Sequence, residues 1–326
     1  MGKKRWLIPA AAGVAALLPA VAMAHGSVQA EPRWSTLLTG WEFDPLFLFP
    51  LALVTWGYFS AVKHVNRAHP SSRFPVSRVV YFSLGIAATV VALASPIAAY
   101  DTTLFVAHMW QHMLLMMVAA PLLLLGQPIT LLLRVSSPRV RKGLILPVLH
   151  SWPVRVLSFP VVAWLIFAAT MWTSHFLPIF NAALENVWIH RFEHLWFMGA
   201  ALLFWWPAIG ADPSPWRMPH PIRLLYVFLQ MPQNSFLALA IYNAGEPLYD
   251  HYATLIRTWG PSALTDQQAA GITMWVFGDM LFLIALGFLA YGWVKHEEFE
   301  TRRTDRALAR ARLAKQEQAG STQHLT

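Results

Sequence analysis

Two pairs of histidines with the same spacing lie in otherwise apolar stretches: His108 with His112, and His190 with His194. Residues four apart share one face of an α-helix, so each pair directs two imidazoles to the same side. An imidazole in a membrane-length apolar segment is costly unless it is hydrogen-bonded, ion-paired or bound to a metal. The repeated spacing therefore predicts a metal site with these four histidines as ligands.

Methionines accompany the first pair. Met109, Met113 and Met116 form a stripe at helical spacing beside the histidine stripe. Thioether and imidazole together suit Cu(I), although such a stripe is also typical of helix packing. The chain has no cysteine, so a soft metal must be held by His, Met or carboxylate.

Three further residues are candidate ligands. His175 ends a predicted span at the same face of the membrane, and Asp279 lies about two turns into the last predicted span, where a carboxylate needs a partner. His25 would follow a predicted signal-peptide cleavage site, where the free α-amino group and the ring together can chelate copper.

Two acidic residues lie close to the pairs in sequence. Asp101 precedes His108 in a short predicted loop, where it could orient a ring nitrogen or simply cap a helix. Glu193 lies between the histidines of the second pair, but H-R-F-E-H lacks the H-E-x-x-H placement of a zinc-protease base. We therefore expect no protease site.

Composition predicts the elements that position these residues. The chain of 326 residues is 56% hydrophobic and only 12% charged, which is typical of a polytopic membrane protein. We predict an all-α helical bundle with seven transmembrane helices after a cleavable signal peptide at residues 1–24. The predicted spans are residues 45–62, 79–99, 106–133, 156–177, 190–209, 224–242 and 272–294.

Charge predicts the orientation. The formal charge of +8 lies mainly in alternate loops and in the C-terminal tail, which indicates membrane topology rather than nucleic-acid binding. Eighteen basic residues fall on the predicted inner side against three on the outer side. This bias predicts an outer N-terminal segment at 25–44, a seven-helix domain at 45–294 and a cytoplasmic tail at 295–326, and it places both histidine pairs near the outer surface.

The chain resembles the CtaG family of multi-spanning bacterial cytochrome c oxidase assembly factors. The similar stretches are HMWQHMLLMMVAAPLLLLGQP from His108, HRFEHLWFMGAALLFWWPAIGADP from His190, PQNSFLALAIYNAGEPLY from Pro232 and LTDQQAAGITMW from Leu264. The resemblance implies a multi-pass protein of the bacterial inner membrane, surrounded by lipid, that handles copper for haem–copper oxidase subunits and is not an enzyme. The family's HxxxH motifs map onto the two histidine pairs.

Three alternatives stay open. A membrane di-metal oxygenase or desaturase also uses HxxxH pairs, but such sites collect more than four histidines, usually on the cytoplasmic side. A cytochrome b-like protein clamps haem between two helices, whereas pairs one turn apart suit a small ion better. In a metal-free assembly scaffold, the histidines would form hydrogen bonds between helices and so stabilise the bundle.

Overall fold

The computed structural model describes residues 29–176 and 179–323. The predicted signal peptide and His25 lie outside the described residues. All regular secondary structure within these two ranges is helical, as the sequence predicts.

The helices are numbered here in chain order. They are α1 Thr36–Thr39, α2 Pro45–Ala68, α3 Val76–Ala94, α4 Pro96–Tyr100, α5 Phe105–Met113, α6 Ala120–Leu125, α7 Pro128–Val135, α8 Pro138–Val140, α9 Leu146–Leu149, α10 Trp152–Leu157, α11 Pro160–Phe176, α12 Ile179–Glu185, α13 Val187–Ile209, α14 His220–Phe228, α15 Gln230–Tyr242, α16 Asp250–Thr254 and α17 Ala263–Gln323. Two π-helical segments, Leu114–Ala119 and Arg141–Ile145, join α5 to α6 and α8 to α9.

Within the described ranges, five helical stretches are long and apolar enough to cross a membrane, and they coincide with five of the seven predicted spans. A sixth span is counted if α11 and α12, which are bent by 70° relative to each other, form one crossing. The remaining predicted span corresponds to α13, which has 23 residues but does not meet the same test of hydropathy. The polar residues in the first two turns of α13, together with its four tryptophans, account for this shortfall. The membrane-protein class is confirmed, and the count of seven is not.

The helix that carries the first histidine pair changes its hydrogen-bond register one turn later. In the π-helical segment Leu114–Ala119, the amide of Ala120 donates to the carbonyl of Leu115, five residues back. The carbonyl of Met116 would then require the amide of residue 121, which is a proline and has no N–H. The indole Nε1 of Trp205 donates to the Met116 carbonyl instead, at 2.9 Å. This bond fixes α13 against the histidine helix.

Two apolar clusters lie on either side of the paired histidines. One cluster contains Phe105 and Phe180 with residues of α15 and α17, and the other contains Phe197, Phe204 and Trp205 with residues of α11, α14 and α17. His108 contacts Phe180, with ring centroids 5.0 Å apart, and His112 contacts Phe197 at 4.2 Å. His108 and His112 therefore lie within the protein core.

Close packing between α3 and α6 depends on Gly85. A Cβ at this position in α3 would lie 2.9 Å from the backbone nitrogen of Leu123 in α6. We expect Gly85→Leu to destabilise the protein by about 1–3 kcal/mol or more, because α3 and α6 would have to separate. The change is measured by thermal unfolding in detergent. Gly57→Leu in α2 is the matched control, since nothing lies within 4 Å of a Cβ there. Equal losses in both variants would contradict the packing argument.

Candidate metal centre

The N-terminus of α5 is held by a side chain from another helix. Leu104 occupies the N-cap position and has no side-chain acceptor. The carboxylate of Asp266 in α17 accepts from the amides of Phe105 and Val106 at 2.7 and 3.2 Å. Arg257 lies 3.5 Å from the same carboxylate. This anchor fixes the axial position of α5 one turn before His108.

The segment around α16 covers the loop before α5. Three consecutive backbone carbonyls of that loop accept hydrogen bonds from this segment. The hydroxyl of Tyr252 donates to the carbonyl of Asp101 at 2.5 Å, Nε2 of His251 to that of Thr102 at 2.8 Å, and Arg257 to that of Thr103 at 3.0 Å. The loop is therefore fixed, and Asp101 is buried.

The four predicted histidines meet between α5 and α13. Within each pair the ring centroids are 4.2 Å apart for His108 and His112, and 4.4 Å apart for His190 and His194. Across the two helices, His108 stacks on His190 at 5.5 Å and His112 lies 5.9 Å from His194. The four rings form a compact quadrilateral between the two helices.

A first group consists of His108, His112 and Glu193, which are all buried. The two Nε2 atoms lie 2.5 Å apart, and Oε2 of Glu193 lies 3.9 and 4.0 Å from them. The point equidistant from these three atoms is about 2.1 Å from each, which is within the roughly 2.0–2.2 Å of metal–nitrogen and metal–oxygen bonds. Two imidazole nitrogens and one carboxylate oxygen are donor types that suit a divalent first-row metal ion.

A second group consists of Asp101, His190 and His194, whose ligand atoms all lie within 4.8 Å of one another. Oδ2 of Asp101 is 3.6 Å from Nε2 of His190. The buried amide of Gln111 donates to the carbonyl of Ala92, so its oxygen faces Nε2 of His194 at 3.0 Å. The amide oxygen of Gln111 thus accepts a hydrogen bond from the Nε2–H group of His194, so the ring's lone pair is on Nδ1.

The electrostatics of the site also favour a bound cation. Neither carboxylate oxygen of Glu193 has a hydrogen-bond partner in the described structure, although the side chain is only 1% exposed. Burial raises the pKa of Asp101 well above its usual range, because water no longer stabilises its charged form. A metal ion would supply the missing partner of the Glu193 carboxylate.

The other predicted ligands have different surroundings. Met109 and Met113 pack in the cluster with Phe105 and Phe180, and Met116 packs against the cluster of Phe197 and Trp205. The sequence indicated these thioethers as candidate ligands, and the structure places all three in apolar contacts.

His175 and Asp279 are in neither of the two groups found among the described residues. Nδ1 of His175 donates a hydrogen bond to the carbonyl of Met171 at 2.7 Å. Its buried Nε2 has no hydrogen-bond partner among the residues that the structure describes. Asp279 accepts from Asn234 at 3.1 Å and from Ser235 at 2.6 Å. Its partners are thus polar side chains of α15.

Sequence reasoning missed the role of Glu193 as a candidate ligand and gave Asp101 only an orienting role. A signal for Glu193 was present, since it lies three residues after His190 and so shares a face of α13 with that ligand. In the sequence analysis, Glu193 was considered only as a protease base, and H-R-F-E-H does not match that motif. Gln111 was also missed, and it has no sequence signal beyond its polarity in an apolar run.

Sequence comparisons identify a family and several relatives of this chain. The family model described as cytochrome c oxidase caa3 assembly factor matches residues 56–296, which include both histidine pairs and both carboxylates. The chain is 30% identical over 283 residues to uncharacterised proteins of Mycobacterium bovis and Mycobacterium tuberculosis, and 29% identical to one of Mycobacterium leprae. Each alignment covers 84% of this chain and 42% of the relative, so the chain spans about two-fifths of the length of these curated relatives. No solved structure matches the chain.

The match to the family model extends over most of the chain and confirms the resemblance found in the sequence. The chain belongs to the cytochrome c oxidase caa3 assembly factor family.

Proposed function

We propose that this protein binds copper at a histidine–carboxylate cluster, defined as His108, His112, His190, His194, Asp101 and Glu193, and passes it to a haem–copper oxidase subunit. The convergence of the four histidines from α5 and α13 is the observation that carries the proposal. Membership of the assembly-factor family supports the destination of the metal. The copper ion is cargo here, and the protein's own residues bind it, orient the ligand rings and exclude water.

The placement of the cluster in the membrane is part of the proposal. We infer seven crossings, with α11 and α12 together forming the fourth and α13 the fifth. At 1.5 Å per residue, 23 residues reach about 34 Å, which is enough to span the hydrocarbon core. The excess of basic residues in alternate loops supports a cytoplasmic C-terminus and an outer position for the cluster in a bacterial inner membrane.

The test measures copper in purified protein and oxidase assembly in cells. We expect His108→Ala/His112→Ala to lower the copper bound per chain, since two ligands of one group are lost, and to lower the copper content of the oxidase when this variant replaces the wild type. Copper is measured by mass spectrometry after reconstitution, in protein purified through a tag without histidine. Unchanged copper content would reject these residues as ligands.

A matched control removes two histidines elsewhere. His220 and His296 also lie near each other, with ring centroids 5.0 Å apart, but they are in neither metal group found among the described residues. His220→Ala/His296→Ala should retain copper. If the cluster variant loses protein abundance while the copper bound per folded molecule is unchanged, the metal-free scaffold is the correct function.

A membrane di-metal oxidoreductase is the second candidate. The observation that favours it is the donor set of each group, two histidines and one carboxylate, which non-haem iron oxygenases also use. Reconstitution with Fe(II) distinguishes the two functions. Oxygen consumption by the iron-loaded protein with an added lipid or alkane substrate would support the enzyme, and its absence alongside tight copper binding would support the assembly role.

A further inference from the structure

We propose that the histidine–carboxylate cluster holds two divalent metal ions side by side, one in each group, rather than one ion shared by four histidines. This inference rests on the proposed metal-binding function and specifies how many ions bind and what class of ion they are. Its first support is the division of the six side chains into two sets of three, each with its own carboxylate.

The two groups are built crosswise between two parts of the chain. The histidines of α5 are joined by Glu193, which comes from α13. The histidines of α13 are joined by Asp101, which comes from the loop before α5. Each group therefore takes donors from both sides of one interface, with α13 on one side and α5 with its preceding loop on the other. Because they share this interface, the two groups form together when α5 and α13 pack.

Distances favour two ions over one. Ring centroids within each pair are 4.2 and 4.4 Å apart, whereas those across the pairs are 5.5 and 5.9 Å apart. The three donor atoms of the first group already lie at bonding distance from a single point about 2.1 Å away. An ion at that point has no need of a histidine from α13, so the second pair and Asp101 remain for another ion.

The donor types favour divalent ions. Imidazole nitrogen and carboxylate oxygen suit divalent first-row metals, whereas Cu(I) prefers thioether or thiolate sulfur. Met109, Met113 and Met116 lie in apolar clusters, and the chain has no cysteine. Cu(II) is therefore a suitable probe for both groups.

The experiment counts ions in the full-length protein in detergent. Apo-protein prepared with a chelator is titrated with Cu(II) alone, and bound copper is measured by mass spectrometry. We expect two ions per chain in the wild type and one ion per chain in Glu193→Gln and in Asp101→Asn. Glu185→Gln, which changes an exposed carboxylate at the end of α12, should keep two.

Electron paramagnetic resonance supplies a second readout. Two Cu(II) ions in adjacent groups couple magnetically, so the spin count of the wild type should fall below its copper content. In each single-carboxylate variant, the spin count should equal the copper content, because one isolated ion is left. If Glu193→Gln does not fold, His190→Ala/His194→Ala tests the same prediction, since it should retain one uncoupled ion in the first group.

The outcomes separate this inference from the proposed function. A wild type that binds one uncoupled Cu(II), lost in both carboxylate variants, overturns the two-ion arrangement and leaves the copper function standing. A wild type that binds no copper overturns both. Two coupled ions in the wild type and one in each variant support both.

Discussion

Asp266→Ala is expected to destabilise the protein by about 3–5 kcal/mol, because it leaves a buried arginine without its partner. Asp266 has no exposed surface, and its carboxylate contacts Arg257 and accepts from two amides at the start of α5. Without it, the guanidinium charge stays buried and the two amides lose their acceptor. Thermal unfolding in detergent, followed by helical circular dichroism, measures the loss.

Two further variants identify the cause of this loss. Asp266→Ala/Arg257→Ala should be more stable than Asp266→Ala alone, since the uncompensated charge is removed with its side chain. Asp250→Ala changes an exposed carboxylate in the same loop region and should alter stability by no more than about 0.5 kcal/mol. If the double variant is the least stable of the three, the burial of an uncompensated charge is not the cause.

Phe204→Ala is expected to destabilise the protein by about 3–5 kcal/mol, since it opens a cavity in the core. The ring has no exposed surface and contacts Phe167 at 4.5 Å and Tyr226 at 4.8 Å, so it joins α13 to α11 and α14. The membrane weakens the hydrophobic driving force between helices but not the lost packing contacts. The same unfolding measurement applies.

The matched control for Phe204→Ala is the same substitution at an exposed phenylalanine of α17. Phe288 is 73% exposed at the surface of the protein. Its removal leaves no internal cavity, so Phe288→Ala should change stability by less than about 1 kcal/mol. Similar losses at the two positions would mean that lipid contact, and not core packing, dominates the stability of this bundle.

Much of the fold follows from apolar runs and charge placement. Five predicted spans coincide with helices that can cross a membrane, because a run of about 20 apolar residues has few other stable structures in lipid. The prediction was least successful at α13 and at the bend between α11 and α12. In α13, polar residues of the first two turns interrupt the apolar pattern, and tertiary packing decides the path of the chain.

The sequence by itself predicted that the four histidines would lie together, because residues four apart share one face of a helix and both pairs fall in apolar segments. Only the tertiary structure decided that Glu193 turns from its own helix towards His108 and His112, and that Asp101 joins His190 and His194. The physical reason is that helical spacing fixes which side chains share a face of one helix. The partners of that face depend on how two helices pack, and local sequence does not encode that packing.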